Sequence, residues 1–300
     1  MHFHPLHFGW VALPPKPKAV VVFIGGAFFG TFPTFFYRGF LRKLYDLDYA
    51  VVALPFRFTF NHWDIALSVS IYLVELRHEL DTLLLASISD GGKQNVNPIP
   101  KIPYLWIAHS LGCKYVALLE LLTEREKSCT EQRIMEALQE VAPKQAEQLQ
   151  AKLKLIEADQ ISLLNQPQIL VDPVITNLEA AIPWEPLEKI FAPLLKVVPS
   201  RDTTFKLIDR STLFTITRIL SLASKTAADT VDRLRHVVRT PPLRPIDIFN
   251  VDLDDEKPIW GRHLAILGLQ STDRGIADAI TTNVEIAYQE AQRFQSDKTK

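Results

Sequence analysis

The segment around Ser110 constrains the fold of this chain more than any other. Residues 103–109 form an apolar run typical of a buried strand, and residues 114–122 have the pattern of a helix. The turn between them carries small residues two positions before and two positions after the serine, Ala108 and Gly112. A serine held on a sharp strand-to-helix turn needs such neighbours, because its backbone is strained and the helix passes close to the strand. The segment therefore predicts a nucleophile elbow, with Ala108 replacing the first glycine of G-x-S-x-G. The alternative is a chance match in a surface turn.

Strand and helix patterns alternate along the rest of the chain, which is typical of a doubly wound parallel sheet. Besides the elbow strand, apolar runs predict strands at Ala19–Ile24, Tyr49–Leu54, Gln168–Val171, Thr212–Thr217 and Ile246–Val251. Helical periodicity predicts helices at Phe36–Tyr45, Trp63–Leu85, Lys114–Leu122, Ala228–Val238 and Asp273–Phe294.

Composition limits the class of protein. The chain has 300 residues, of which 47% are hydrophobic, enough for one large α/β domain. The net charge of −1 gives no basic field for nucleic acid. Two cysteines, Cys113 and Cys129, fit a reducing compartment without a disulfide framework. With no signal-peptide pattern at the start, we expect a cytoplasmic bacterial protein.

Two other patterns have alternative interpretations. Residues 19–37 carry no charged side chain, but their glycines and Pro33 favour a buried strand that enters a loop over a membrane span. His2, His4 and His7 have no carboxylate or cysteine cluster beside them, so we expect no metal site and no cofactor.

A serine nucleophile needs a base, which in hydrolases of this kind is a histidine late in the chain. Only two histidines follow Ser110. His236 falls inside a predicted helix, whereas His263 lies in a loop after the last predicted strand. His263 is therefore the predicted base, with a surface loop histidine as the alternative.

The acid that orients the base has two candidates. Asp229 follows the penultimate predicted strand and is the first choice, although it could instead cap the next helix. Asp172 follows the strand before and is the second choice, although it could be a turn residue.

An oxyanion formed in the reaction needs two backbone N–H donors. Leu111, at the start of the helix after the elbow, is one predicted donor, and Ala27, in the glycine loop after the first buried strand, is the other. Phe28 beside it is the second choice for this donor. Phe28, His62 and Trp184 are the predicted substrate contacts, although His62 could instead make a structural hydrogen bond and Trp184 could belong to the core of the cap. The glycine loop lacks the spacing of a phosphate-binding loop.

The chain resembles a family of α/β-hydrolase-like proteins of cyanobacteria and plant plastids, the domain of unknown function 1350. The resemblance spans roughly Trp10 to Asn283 and is carried by the segments Phe23–Phe28, Tyr49–Pro55, Thr59–His62 and Ala108–Gly112, and by Asp229-Thr-Val. The family implies a fold and no established substrate.

Together these features predict a single α/β-hydrolase domain with a mostly parallel doubly wound sheet. The predicted core covers about 15–122, 166–175 and 205–294, with a helical insertion at 123–165 and a small cap at 176–204. The apolar cap favours a small hydrophobic acyl substrate, and hence an esterase, lipase or thioesterase with a Ser110–His263–Asp229 triad. The alternative is an inactive α/β-hydrolase-fold binding protein, since a fold alone does not imply activity. No nucleic acid partner and no transmembrane segment are expected, and the sequence leaves the oligomeric state open.

Overall fold

The structure is a computed structural model of the chain. It describes residues 1–89, 102–123, 147, 151, 163, 166–175, 197–210, 217–236, 247–250, 262–268 and 274–298.

An eight-stranded sheet in the order β1-β2-β4-β3-β5-β6-β7-β8 forms the centre of the molecule. Its strands are β1 (His4–Leu6), β2 (Gly9–Ala12), β3 (Ala19–Ile24), β4 (Tyr49–Leu54), β5 (Tyr104–His109), β6 (Gln168–Val171), β7 (Thr217–Ser221) and β8 (Asp247–Asn250). The described helices are α1 (Pro33–Phe36), α2 (Arg38–Asp46), α3 (His62–Ser89), α4 (Leu111–Thr123), α5 (Arg201–Arg210), α6 (Lys225–Arg235) and α7 (Arg274–Lys298).

Strands β3 to β8 run parallel, while β1 and β2 form an antiparallel hairpin that adds to the edge of β4. This strand order, with the β5-turn-α4 unit at its centre, is that of the α/β-hydrolase fold, so the predicted fold is confirmed. Because parallel strands share their carboxyl ends, the segments after β3, β5, β6 and β7 meet along one edge of the sheet. The candidate site residues predicted from the sequence are therefore to be sought at that edge.

Both faces of the sheet are covered, which explains why its central strands are apolar throughout. Along β3, Val20, Val22 and Ile24 pack on one side with residues of α3 to α6. Val21 and Phe23 pack on the other side with residues of α2 and α7. The side chains of β3 and β4 are at most 1% exposed.

The amino terminus forms the β1-β2 hairpin at the edge of the sheet. The structure corrects two sequence predictions. Residues 212–216 of the strand predicted at Thr212–Thr217 lie outside the described residues. The seventh strand of the structure is Thr217–Ser221. It includes the buried Arg218, whose charge is paired with Glu290 at 2.8 Å, so the apolar pattern failed to mark this strand. Helix α6 ends at Arg235, with His236 as its C-cap. Most of the predicted insertion at 123–165 and of the cap at 176–204, including Trp184, lies outside the described residues.

Candidate active site

Ser110 lies on a strained turn between β5 and α4. Its φ is 56°, in the left-handed region that non-glycine residues rarely adopt. The helix that follows crosses the end of β3 closely. A Cβ at Gly112 would lie 2.4 Å from the carbonyl oxygen of Gly25, so only glycine fits there. The local geometry is therefore that of the nucleophile elbow predicted from the sequence.

His263 lies beside Ser110. Its Nε2 is 2.8 Å from Ser110 Oγ, although 153 residues separate the two in the chain. The residue stands just before a short 3₁₀ turn, Ala265–Leu267, whose buried side chains anchor this segment. His263 is itself buried, at 8% exposed. The predicted pairing of serine and histidine is thus present.

Asp172 forms a hydrogen bond with the other ring nitrogen of His263, Nδ1. It follows β6 directly, has a φ of 45°, and is fully buried. Its Oδ2 is 2.6 Å from His263 Nδ1 and also accepts the Ser224 hydroxyl, while its Oδ1 accepts the Leu222 N–H at 3.0 Å. Burial acts to raise the pKa of Asp172, but the hydrogen bonds from His263, Ser224 and Leu222 outweigh it and hold the pKa below its usual range.

Asp229 does not reach the site, and its choice as the third member of the predicted triad is wrong. Its carboxylate accepts two hydrogen bonds from the Arg201 guanidinium, at 2.9 and 2.8 Å, and its side chain is 60% exposed. The cap of helix α6 is Ser224, whose hydroxyl accepts the Ala227 N–H. Asp229 therefore lies a turn into the helix on its outer face. Asp172, the second candidate, occupies the place beside His263.

The hydrogen-bond directions in the site follow from the ionised carboxylate. Asp172 can only accept, so His263 Nδ1 carries the proton and donates to it. The unprotonated Nε2 then accepts the Ser110 hydroxyl. This tautomer is the one in which a histidine can take a proton from a serine.

His109, the residue directly before the nucleophile, forms hydrogen bonds within the same site. It is 1% exposed. Its Nε2 is 2.9 Å from the backbone carbonyl oxygen of His263, and its Nδ1 is 2.9 Å from the Tyr37 hydroxyl. Tyr37 in turn accepts the Gly26 N–H at 2.7 Å. The only sequence signal for this role was the position of His109 directly before the serine.

The glycine loop after β3 lies against Ser110. A Cβ at Gly26 would be 3.0 Å from Ser110 Cβ, so the next residue, Ala27, lies close to the nucleophile. Within the described part of the chain, neither the Ala27 N–H nor the Leu111 N–H donates a hydrogen bond. Both predicted oxyanion donors are therefore available.

Two predicted substrate contacts have different surroundings. Phe28, at a φ of 56°, is 49% exposed and stacks on Phe58 with ring centroids 4.7 Å apart. His62 is buried at the start of α3, where its N–H donates to the Val198 carbonyl at 2.7 Å and its ring meets Tyr115 edge-on. Burial, with the nearby Lys114, lowers the pKa of His62 well below its ordinary value. His62 makes no hydrogen bond to Ser110 or His263.

The strand order and the serine turn define a protein of the α/β-hydrolase fold. The chain belongs to the family described as "Protein of unknown function (DUF1350)", whose profile matches residues 3–242. No curated protein matches the chain in sequence. In the part of the chain that the structure describes, no helix has the length and apolar character needed to cross a membrane.

Several solved structures share the general course of the chain. An esterase B from Lactobacillus rhamnosis is 13% identical, with a TM-score of 0.49, over 100% of this chain and 89% of that one. The fluorophosphonate-binding serine hydrolase F of Staphylococcus aureus is 14% identical, with a TM-score of 0.45, over 91% and 90%. The esterase domain of a Rhodothermus marinus protein is 13% identical, with a TM-score of 0.43, over 91% and 89%.

Proposed function

We propose that the protein is a serine hydrolase that cleaves esters of hydrophobic acyl groups through a Ser110–His263–Asp172 triad. One observation carries the proposal: a continuous chain of hydrogen bonds from Ser110 Oγ through His263 to the buried Asp172, at 2.8 and 2.6 Å. These distances lie within the range needed for proton transfer from a nucleophile to its base.

The roles follow from the directions of these bonds. Ser110 Oγ attacks the ester carbonyl carbon as His263 Nε2 takes the hydroxyl proton. Asp172 holds the imidazole in the required tautomer and stabilises its positive charge. His263 then gives the proton to the departing alcohol, which leaves an acyl group on Ser110. Water, activated by the same histidine, hydrolyses that acyl-enzyme and restores the serine.

The N–H groups of Ala27 and Leu111 would stabilise the negative charge on the carbonyl oxygen. Two features support this assignment. Both groups lie next to Ser110 in space or in sequence, and Leu111 opens helix α4, whose N-terminus favours negative charge. Donors fixed by the fold need little reorganisation when the charge develops.

The aromatic residues beside the loop support a hydrophobic acyl group. Phe28, directly after Ala27, stacks on Phe58, and Phe58 meets Phe60 edge-on at 5.2 Å. An acyl chain held by its carbonyl at Ala27 would lie against Phe28. Burial of methylene groups on such a surface contributes roughly 0.8 kcal/mol each.

Hydrolysis of p-nitrophenyl esters of graded chain length tests the proposal. We expect turnover by the wild type that rises with chain length beyond acetate, and loss of turnover in Ser110→Ala and His263→Ala. Ile286→Ala, a change at an exposed apolar residue of α7, is the matched control. A folded wild type that hydrolyses none of the esters would contradict the proposal and favour the binding-protein alternative.

A further inference from the structure

His109 connects the three segments that carry the proposed reaction. It precedes the nucleophile in β5, it contacts the backbone of the residue that supplies the base, and through Tyr37 it contacts the glycine loop. No side chain of this network is on the path of the proton in the proposed mechanism. Its members are fully buried, at 1% exposed for His109 and 0% for Tyr37.

The directions of the hydrogen bonds are fixed by the chemistry of the groups. The carbonyl of His263 only accepts, so His109 Nε2 carries a proton and donates to it. A neutral imidazole then accepts at Nδ1, so the Tyr37 hydroxyl donates there. The Tyr37 oxygen is left to accept the Gly26 N–H. Every polar atom of the network therefore has a partner, as buried groups require.

We infer that His109 and Tyr37 are positioning residues that hold the His263 backbone and the Gly26 turn at fixed positions relative to Ser110. The inference rests on the proposed function, because it concerns the geometry of that reaction. The hydrogen bonds fix the His263 backbone independently of the Asp172 and Ser110 contacts to its ring. A shift of about 1 Å in a catalytic group can cost roughly 10²-fold in rate. Hydrogen bonds that prevent such a shift therefore increase the rate of the reaction.

Because the His109 imidazole stays neutral, the hydrogen bonds of the network do not change with pH. Burial, followed by the effect of the nearby His263, lowers the pKa of His109 to about 3. Its imidazole therefore keeps one donor and one acceptor throughout the pH range in which a serine hydrolase is assayed. A protonated imidazole would lose the acceptor that holds Tyr37.

Two amide substitutions of His109 test its two hydrogen bonds one at a time. In His109→Gln, the side-chain amide can still donate to the His263 carbonyl. In His109→Asn, the shorter side chain can accept from Tyr37 but cannot reach that carbonyl. Tyr37→Phe removes the acceptor for Gly26. Tyr115→Phe is the control, because the buried Tyr115 hydroxyl has no hydrogen-bond partner among the described residues.

We expect His109→Asn to slow fluorophosphonate labelling and ester kcat about ten- to a hundredfold with KM little changed, since a buried carbonyl loses its partner. His109→Gln recovers most of that rate, and Tyr37→Phe slows it about tenfold. A role in packing alone would lower the melting temperatures of Asn and Gln variants together while leaving the rates of the folded proteins near wild type. That result overturns the inference.

A second readout separates failure of the inference from failure of the proposed function. Imidazole ¹⁵N spectra near neutral pH should show His109 as the neutral Nε2–H tautomer, whether or not the protein is active. A wild type that shows this tautomer yet does not label overturns the proposed function and, with it, the catalytic value of the network. A His109 that carries its proton on Nδ1 overturns the network itself.

Exposed phenylalanines lie on the surface beside the site. Phe28, Phe32 and Phe35 are 49%, 64% and 74% exposed, and the last two are the most exposed large apolar side chains in the described part of the chain. All three stand in the eight residues that follow Ala27. Exposed apolar side chains concentrated in this way mark a site of contact.

The chain segments that carry or flank these phenylalanines contain basic residues and no acidic ones. Residues 25–45 and 55–63 contain no Asp or Glu, although the whole chain has a net charge of −1. Arg38 follows the phenylalanines at the start of α2, and Arg57 lies between Phe56 and Phe58. Both arginines are exposed and neither forms an ion pair with a described residue.

We propose that Phe28, Phe32, Phe35, Arg38 and Arg57 form a surface that docks on an anionic lipid bilayer. Aromatic side chains enter the boundary between headgroups and acyl chains, and the arginines meet the headgroup charge. The surface lies next to the loop that contains Ala27, so a docked molecule would face the lipid with its proposed site. The docking itself does not depend on catalysis.

Sedimentation with phosphatidylglycerol–phosphatidylcholine vesicles tests this surface. We expect binding that falls about tenfold for each of Phe32→Ser and Phe35→Ser and that weakens with salt, since apolar burial and charge both contribute. Ile71→Ser and Ile286→Ser change exposed apolar residues elsewhere and should bind as wild type. Absence of binding, or binding that survives both Phe changes, overturns the proposal. A dimer in solution that Phe32→Ser dissociates also overturns it, by showing a second copy on this surface.

Discussion

Replacement of Asp172 by Asn tests the assignment of the acid, and the structure fixes what the change should do. Asn Oδ1 can keep the bond from the Leu222 N–H, which places the Asn Nδ2 where Oδ2 was, facing Ser224 and His263 Nδ1. The Ser224 hydroxyl can rotate to accept from this amide. His263 Nδ1 must become an acceptor, which moves its proton to Nε2.

A histidine protonated at Nε2 cannot take the Ser110 proton. The wrong tautomer in a triad of this kind costs roughly 10⁴-fold in rate, or about 5.5 kcal/mol at the transition state. We therefore expect Asp172→Asn to label with a fluorophosphonate about 10³- to 10⁴-fold more slowly than wild type. The second-order labelling constant is the measurement, with circular dichroism melting to show that the variant is folded.

Asp229→Asn is the matched control, because it makes the same chemical change at a carboxylate bound to Arg201 on the surface. An exposed pair of this kind contributes about 0–1 kcal/mol to stability and nothing to the site, so labelling should stay at the wild-type rate. The assignment of Asp172 as the acid is refuted if Asp172→Asn labels within about threefold of wild type, or if Asp229→Asn is the variant that loses labelling.

Three further predictions concern stability. Burial lowers the pKa of Lys114 to about 7, so between pH 7 and about 10.4 the unfolded chain binds the extra proton. Stability should therefore rise with pH across that window, and Lys114→Met should abolish the rise in urea titrations. Gly112→Ala, with its Cβ 2.4 Å from Gly25 O, should lower the free energy of unfolding by about 2 kcal/mol or more, whereas Gly39→Ala, in open space on α2, should not lower it. Ser224→Ala, which removes the cap of α6, should cost about 1 kcal/mol in thermal unfolding while slowing labelling only a few-fold, because the Asp172–His263 bond remains; a loss as large as that in Asp172→Asn would contradict this.

The central part of the fold was predictable because its signals are local. Ala19–Ile24, Tyr49–Leu54 and Gln168–Val171 are uninterrupted apolar runs, and the structure has strands with those bounds. Strands buried on both faces must be apolar at every position. The seventh strand was misplaced because it includes Arg218, a buried charge that pairs with Glu290, 72 residues away, and no local pattern reveals that pairing.

The candidate site was predictable in part for the same reason. Ser110 was marked by the turn around it, and His263 by its place after the last strand. The choice between Asp172 and Asp229 depends on which loop the His263 ring faces, and on Ser224 as the helix cap, which are properties of the assembled sheet edge. The role of His109 was hidden because its two partners, Tyr37 and His263, come from distant parts of the chain, as does the Gly26 that donates to Tyr37.

The site of covalent attachment of a fluorophosphonate tests the central claim most directly. Purified wild-type protein is incubated with the reagent, and the modified residue is located by mass spectrometry of peptides, beside Ser110→Ala and His263→Ala. We expect one adduct, on Ser110, that is absent from Ser110→Ala and strongly reduced in His263→Ala. A folded wild type without an adduct, or with an adduct on another residue that persists in Ser110→Ala, would contradict the claim that Ser110 is the activated nucleophile.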